Sequence, residues 1–260
     1  MSVNAATGPA RPSRSALRAL IISEGKLAWR EPVGLVLGVG VPVILLVIFG
    51  ISSGFQKRIV STNPTTYRTL YVPILMGLVL VLIALISLPI PIVVQRERKF
   101  LRRLSTTPIA PLWLLAAQVA VNLVLALVAM VLIVAGSAAF FGVHAPSQVP
   151  GFILAALLAT ACLFALGLVI AAVAPSERAA GAIGSALLFP LMFFAGLWQP
   201  SQAVTPSAMH TISNLTPLGA AVHAMLRSMQ GTFPTIGSLA VMAAWVAVFG
   251  IAAVRLFRWE

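Results

Sequence analysis

Six apolar stretches run through this chain, at about 33–52, 69–94, 112–141, 151–173, 181–198 and 236–254, and none holds an Asp, Glu, Lys, Arg or His in its interior. A hydrocarbon core about 30 Å thick is crossed by about 20 residues of α-helix. In lipid every backbone N–H and C=O must find its partner inside the protein, and stretches of this length satisfy that as helices. Across the whole chain 8% of the 260 residues are charged and 60% are hydrophobic, whereas soluble domains carry roughly 25% charged residues. The expected fold class is therefore an all-α membrane protein with six transmembrane helices over 33–254. Short loops and tails use up the remainder, which leaves no room for a second soluble domain.

The same emptiness excludes several kinds of chemistry. A charge at mid-bilayer costs about 2.5–3.5 kcal/mol on insertion scales and is kept only for function. Proton-coupled pumps need titratable groups at that depth, and intramembrane proteases and transferases need polar clusters. The spans offer neither. His144, His210 and His223 fall outside them with no metal-ligand spacing, and the single Cys162 has no disulfide partner, so no metal and no bound cofactor is expected.

The charges outside the spans are lopsided, with 17 Lys and Arg against 5 acids. In a membrane protein this excess holds loops on the cytoplasmic side and meets anionic lipid, and no nucleic-acid partner is implied. With both termini inside, 13 basic residues fall in cytoplasmic segments and 4 outside. The bias sets the orientation and requires an even number of spans. The Arg- and Ala-rich composition points to a bacterial cytoplasmic membrane. The first apolar run, near Val33, exceeds the apolar core of a signal peptide and reads as a retained span.

Several segments carry more specific expectations. Residues 1–32 form a cytoplasmic tail and an amphipathic interfacial helix over about 15–31, with Leu17, Leu20, Ile21, Leu27 and Ala28 on one face. Glu24 lies within that face, either paired with a nearby Arg or touching a partner. Span 2 carries Pro73, Pro89 and Pro91. The last two mark either a helix end or a bend that moves. Residues 95–104 read as a short basic amphipathic helix with Phe100, Leu101 and Leu104 on one side. Gln118 and Asn122, four apart on span 3, read as interhelical hydrogen-bonding amides or as contacts to a substrate. Residues 199–232 are too polar to span and too apolar for a free loop, and a re-entrant or interfacial helical hairpin is expected there. Residues 255–260 form a cytoplasmic C-terminus.

No phosphate-binding loop is present. The one Gly-Lys pair, Gly25-Lys26, has Leu20 in place of the first glycine and Leu27 in place of Ser or Thr. Uphill transport would need energy from another polypeptide, and the basic segment 95–104 is the exposed place for it to push.

Three stretches carry a resemblance to a known family. They are Glu24-x-Lys-Leu-x-x-Arg30-x-Pro32 entering span 1, the run Arg96-Glu97-Arg98-Lys99-Phe100-Leu101-Arg102-Arg103-Leu104-Ser105-Thr106-Thr107-Pro108 after span 2, and Leu197 to Arg227 with its Pro217-Leu218. Together they resemble the permease subunits of ABC-2-type transporters, including drug-resistance exporters of the daunorubicin type. Where that family often has Gly-Thr-Leu-Glu, this chain has Lys99-Phe100-Leu101-Arg102, a more basic version. The resemblance implies a separate ATP-binding subunit that holds ATP and Mg, and a second permease, either an identical copy or a sister chain. It implies coupling through Glu24 and residues 96–104. It also implies a path between spans 2 and 5 lined by Leu78, Leu82, Leu85, Leu188, Met192 and Phe193, with Gln118 and Asn122 as further candidates. The implied cargo is a drug or lipid-like molecule moved outward. A non-transporting scaffold or assembly protein and an exporter of a glycan or glycolipid are the alternatives. A membrane-embedded enzyme is disfavoured by the missing polar clusters.

Overall fold

The computed structural model describes residues 22, 25, 36–52, 58–60, 63–97, 111–198 and 207–256. Apart from Ile22 and Gly25, the tail and interfacial helix over 1–32, with Glu24, lie outside these residues, as do Arg98, Lys99, Phe100, Leu101, Arg102, Arg103 and Leu104. So do 199–206 and 257–260.

The first described element is a π-helical turn, Val36–Gly40, leading into α1 (Val41–Ile51). A short antiparallel pair follows, β1 (Arg58–Val60) and β2 (Asn63–Thr66). Every other described element is helical. The second span is built from α2 (Tyr67–Leu82), a π-helical segment Ile83–Ser87 and α3 (Pro89–Glu97). Then come α4 (Pro111–Phe141), α5 (Val149–Val173) and α6 (Glu177–Phe194). Two short helices, α7 (Ser207–Leu215) and α8 (Pro217–Met229), precede the last long one, α9 (Ile236–Leu256). Among the described residues, five helices are long and apolar enough to cross a bilayer, and Gly38–Ile51 is a shorter apolar helix.

Local chemistry sets the helix ends. Ser176 caps α6, its Oγ accepting from the Ala179 N–H at 3.2 Å. That cap starts the helix four residues before the apolar run at Gly181 begins. Just upstream, Pro175 follows the C-cap of α5, where it suits a helix end. Thr216 caps α8 in the same manner, accepting from the Gly219 N–H at 3.1 Å, and Pro217 fills the first helical position, where no N–H is needed.

The second span is the axis of the protein. Its most apolar window is 72% buried, against 6% for α9. It packs against α1, α4, α5, α6 and α8. Lipid gives helices no hydrophobic reason to associate, so close backbone approach matters, and small residues supply it. A Cβ built on Gly167 of α5 would fall on the Ala84 carbonyl oxygen, and one on Gly184 of α6 would fall on that of Leu85. Two glycines on two helices thus receive the π-helical segment of a third.

The segment 207–229 forms two short helices joined at Thr216, the second of them buried in the bundle. At 13 residues α8 is about 20 Å long, too short to cross. Its side chains from Pro217 to Leu226 are buried apart from half-buried His223, and Leu218 rests on Gly77 of α2. Hydrogen bonds hold these helices to their neighbours, among them that of the Gln148 N–H, at the N-cap of α5, to the Ser228 carbonyl at 3.0 Å. The Trp245 indole N–H donates to the Leu215 carbonyl at 2.9 Å, and the Ser213 hydroxyl donates to that of Phe194 at 2.5 Å.

Candidate functional site

The second span carries two features that an ordinary apolar helix lacks. One is its π-helical segment. The Leu88 N–H donates to the Ile83 carbonyl at 2.8 Å, five residues back instead of four. That shift leaves the Ala84 oxygen without the Leu88 N–H, and Pro89, next in line, has no N–H to give. Leu85 loses its α-helical donor to the same proline. These are the two carbonyls seated on Gly167 and Gly184. Close Cα–H···O contact, available only where no side chain intervenes, offsets part of what the backbone has lost. π-Bulges of this kind occur often at functional sites.

The other feature lies at the C-terminal end of the span. Arg96 is half-buried. Its Nη1 donates to the carbonyls of Ala171 at 3.1 Å and Ala172 at 3.2 Å, and its Nη2 donates to that of Ala174. These belong to the last turn and cap of α5, whose carbonyls have no intrahelical partner. Glu97, exposed, accepts the N–H of Glu177 on its Oε1 at 3.1 Å. Glu177 is the first residue of α6, so this N–H is also an orphan. A helix carries roughly half a negative charge at its C-terminus and half a positive charge at its N-terminus. The cation therefore meets the negative end of one helix, and the anion beside it meets the positive end of the next. Charge-assisted bonds of this kind are each worth about 1.5–3 kcal/mol net when shielded. The Glu97 bond, being in water, is worth less.

At the opposite end of the same span the Tyr71 hydroxyl donates to the Leu197 carbonyl at 3.1 Å. The second span is thus tied to α6 or its flanking turns at both ends.

The other residues singled out from the sequence are distributed through the bundle. Leu78, Leu82 and Leu85 are buried against the protein's own helices, as is Met192. Leu188 is half-buried, and Phe193 is 43% exposed. Gln118 and Asn122 are both buried, and the bond seen between them runs within one helix. The Asn122 Nδ2 donates to the Gln118 backbone oxygen at 2.9 Å, one turn back on its own helix. An amide four residues downstream reaches that carbonyl more easily than a neighbouring helix. Among the described residues the Gln118 side chain has no partner for either its oxygen or its nitrogen. Among the described residues no cluster of His, Cys, Asp or Glu could hold a metal.

Sequence reasoning missed the receiving turn, Ala174 to Glu177. Pro175-Ser176-Glu177 marks a helix boundary, but nothing in its spelling names Arg96 and Glu97 as its partners.

Residues 15–230 match the sequence profile of a family described as ABC-2 type transporter. No curated protein matches the chain.

Proposed function

Because the chain belongs to the ABC-2 type transporter membrane family, we propose that it is the permease of an exporter that moves a hydrophobic or amphipathic cargo, a drug or a lipid-like molecule, outward. Permeases of this family are multi-pass membrane proteins that lack an ATPase site and pair with ATP-binding subunits. The family match over residues 15–230 carries the reading. Two features of the sequence support it: the charge-free spans, and the missing phosphate loop, which leaves the energy to another chain.

In this reading the chain sits in a bacterial cytoplasmic membrane with both termini inside, as the 13-to-4 distribution of basic residues favours. Residues 98–108, continuing from α3, then emerge on the cytoplasmic side. Phe100, Leu101 and Leu104 give the ATP-binding subunit an apolar grip, and Arg98, Lys99, Arg102 and Arg103 give it a charged one. Glu24 supports the same contact from the N-terminal helix. The hairpin α7–α8 becomes a re-entrant element on the outer side. A second permease, identical or sister, completes the path between the second and fifth spans. Phe193 is the exposed residue of that set. Leu78, Leu82, Leu85 and Met192 would meet cargo only when the packing around the second span opens, and Gln118 and Asn122 would then offer the amides.

The test is copurification followed by ATPase assay of the reconstituted complex against a panel of drugs and lipids. The expected result is an ATP-binding subunit that copurifies with the chain, a rise in ATPase with at least one amphipathic compound, and loss of copurification when Phe100, Leu101 and Leu104 are replaced by Ser. Retained binding and transport in the triple variant would remove the coupling assignment. A chain that copurifies with no ATP-binding subunit would remove the function.

A further inference from the structure

Arg96 and Glu97 are the last described residues before the charged segment 98–108, and both side chains are spent within the chain. Arg96 gathers the carbonyls of Ala171, Ala172 and Ala174, and Glu97 holds the N–H of Glu177. Between these two helix ends lie only Ala174, Pro175 and Ser176. One dipeptide of opposite charges therefore grips two consecutive helices at once, each by the pole that attracts it. Deeper in, the second span touches the same two helices again, where Ala84 and Leu85 meet Gly167 and Gly184. The two levels are 12 residues apart, about 18 Å of helix. Between them stand Pro89 and Pro91, where backbone bonds are missing and bending costs least.

We propose that Arg96 and Glu97 form a clip that carries movement of the charged segment 98–108 into α5 and α6 together, with the glycine-seated bulge as the fulcrum. They are positioning residues, acting through the turn Ala174–Glu177. The proposal rests on the reading that an ATP-binding subunit moves the 98–108 segment. Pulling that segment displaces α3 and its two charges first. The turn follows, because α5 and α6 are bonded to those charges. The inner halves of both helices tilt about Gly167 and Gly184, where close backbone contact resists sliding.

Hydrogen exchange tests this on the full complex of the chain with its ATP-binding subunit, measured with and without MgATP and vanadate. In the wild type, nucleotide changes exchange both in 98–108 and in 174–184. Glu97→Ala, an exposed change with little risk to folding, speeds exchange of the Glu177 amide about tenfold. In that variant and in Arg96→Gln the nucleotide response persists in 98–108 but falls at least threefold in 174–184. Arg96→Lys, which keeps the charge and loses the fork, falls between. It also replaces Arg96→Gln should that variant fail to assemble. A purely structural role would shift the unfolding midpoint and leave the ratio of the two responses unchanged. A wild-type-sized response in 174–184 in the variants overturns the clip, as does a wild type that responds in 98–108 alone. No response in 98–108 at all removes the docking reading and the clip with it.

Discussion

Replacing Gly167 by Ala tests the central packing most directly. The added methyl would fall on the Ala84 carbonyl, which is backbone and has no rotamer to turn away. Either α5 moves out or the bulge flattens. Overpacking of this kind costs about 1–3 kcal/mol. It also has to overcome the gain of up to about 1 kcal/mol that Gly→Ala brings to a helix interior. Gly237 and Gly250 of α9 supply the control, since a Cβ at either meets nothing within 4 Å. There the same change expresses the propensity gain alone. With the full gain subtracted the net cost is up to about 2 kcal/mol, so at about 2–4 °C per kcal/mol for a chain of this size the Gly167→Ala midpoint falls by up to about 8 °C, while Gly237→Ala and Gly250→Ala hold or rise slightly. The assay is thermal unfolding of the purified protein in one detergent, followed by the loss of its monodisperse size-exclusion peak. Gly184→Ala should behave like Gly167→Ala, since its Cβ meets the Leu85 carbonyl. Equal midpoints for Gly167→Ala and Gly250→Ala would refute the seating of the bulge on glycine.

Gln118→Leu should raise the unfolding midpoint by a few degrees, because it removes a buried amide with no partner among the described residues, a burden of about 1–3 kcal/mol. A lower midpoint would show that the amide is satisfied. If ATPase stimulation by cargo drops while stability rises, Gln118 is held in the membrane for function. Thr216→Ala removes the cap on the Gly219 N–H and should cost about 1 kcal/mol. Limited proteolysis of the purified protein should then cut 207–216 several times faster, and an unchanged rate would count against the cap.

Much of the fold is legible in the sequence because lipid imposes a simple rule. Charge-free runs of sufficient length become helices, and the structure places long helices over five of the expected runs and a shorter one over the first. That 199–232 does not form a single span was legible in its intermediate polarity and Pro217, and its described part, 207–229, holds two short helices. What composition could not show is which helix is central. The second span is no more apolar than α4, both with a hydropathy of 2.8, yet it is 72% buried and α4 is 28% buried. The difference lies in packing partners, which apolar content does not encode. The glycines that receive the second span, Gly167 and Gly184, look like any other glycines in a span. Their role depends on a π-shifted register two helices away. On α4, likewise, spacing alone leaves an amide's partner open. The four-residue spacing of Gln118 and Asn122 places them on one face, but it also puts a backbone carbonyl within reach of the second amide.

The prolines of the second span left two readings open, a helix end or a bend. The structure gives their consequence a definite place. Helix continues through Pro89 and Pro91 to Glu97, so the pair does not end the span. Pro89 has no N–H to offer the Leu85 carbonyl at i+4 or the Ala84 carbonyl at i+5, and these two oxygens lie against the glycines of α6 and α5. A leucine at 89 would restore a donor and relax the register toward α-helix. The carbonyls would then have less need of Gly167 and Gly184, although nothing would be added to block the contact. Proline and glycine therefore answer each other across three helices. One exposes backbone oxygen, and the other two let the exposed oxygen approach a Cα–H in a place where water cannot serve. Arg96 solves the same problem at the end of α5, with a guanidinium in place of glycine, because there the orphan carbonyls are within reach of a charge that can stay partly in water. The second span thus meets its two neighbours through backbone carbonyls at both levels, its own against Gly167 and Gly184 and those of α5 at Arg96. In the proposed clip a contact of this kind would resist sliding and tolerate tilt.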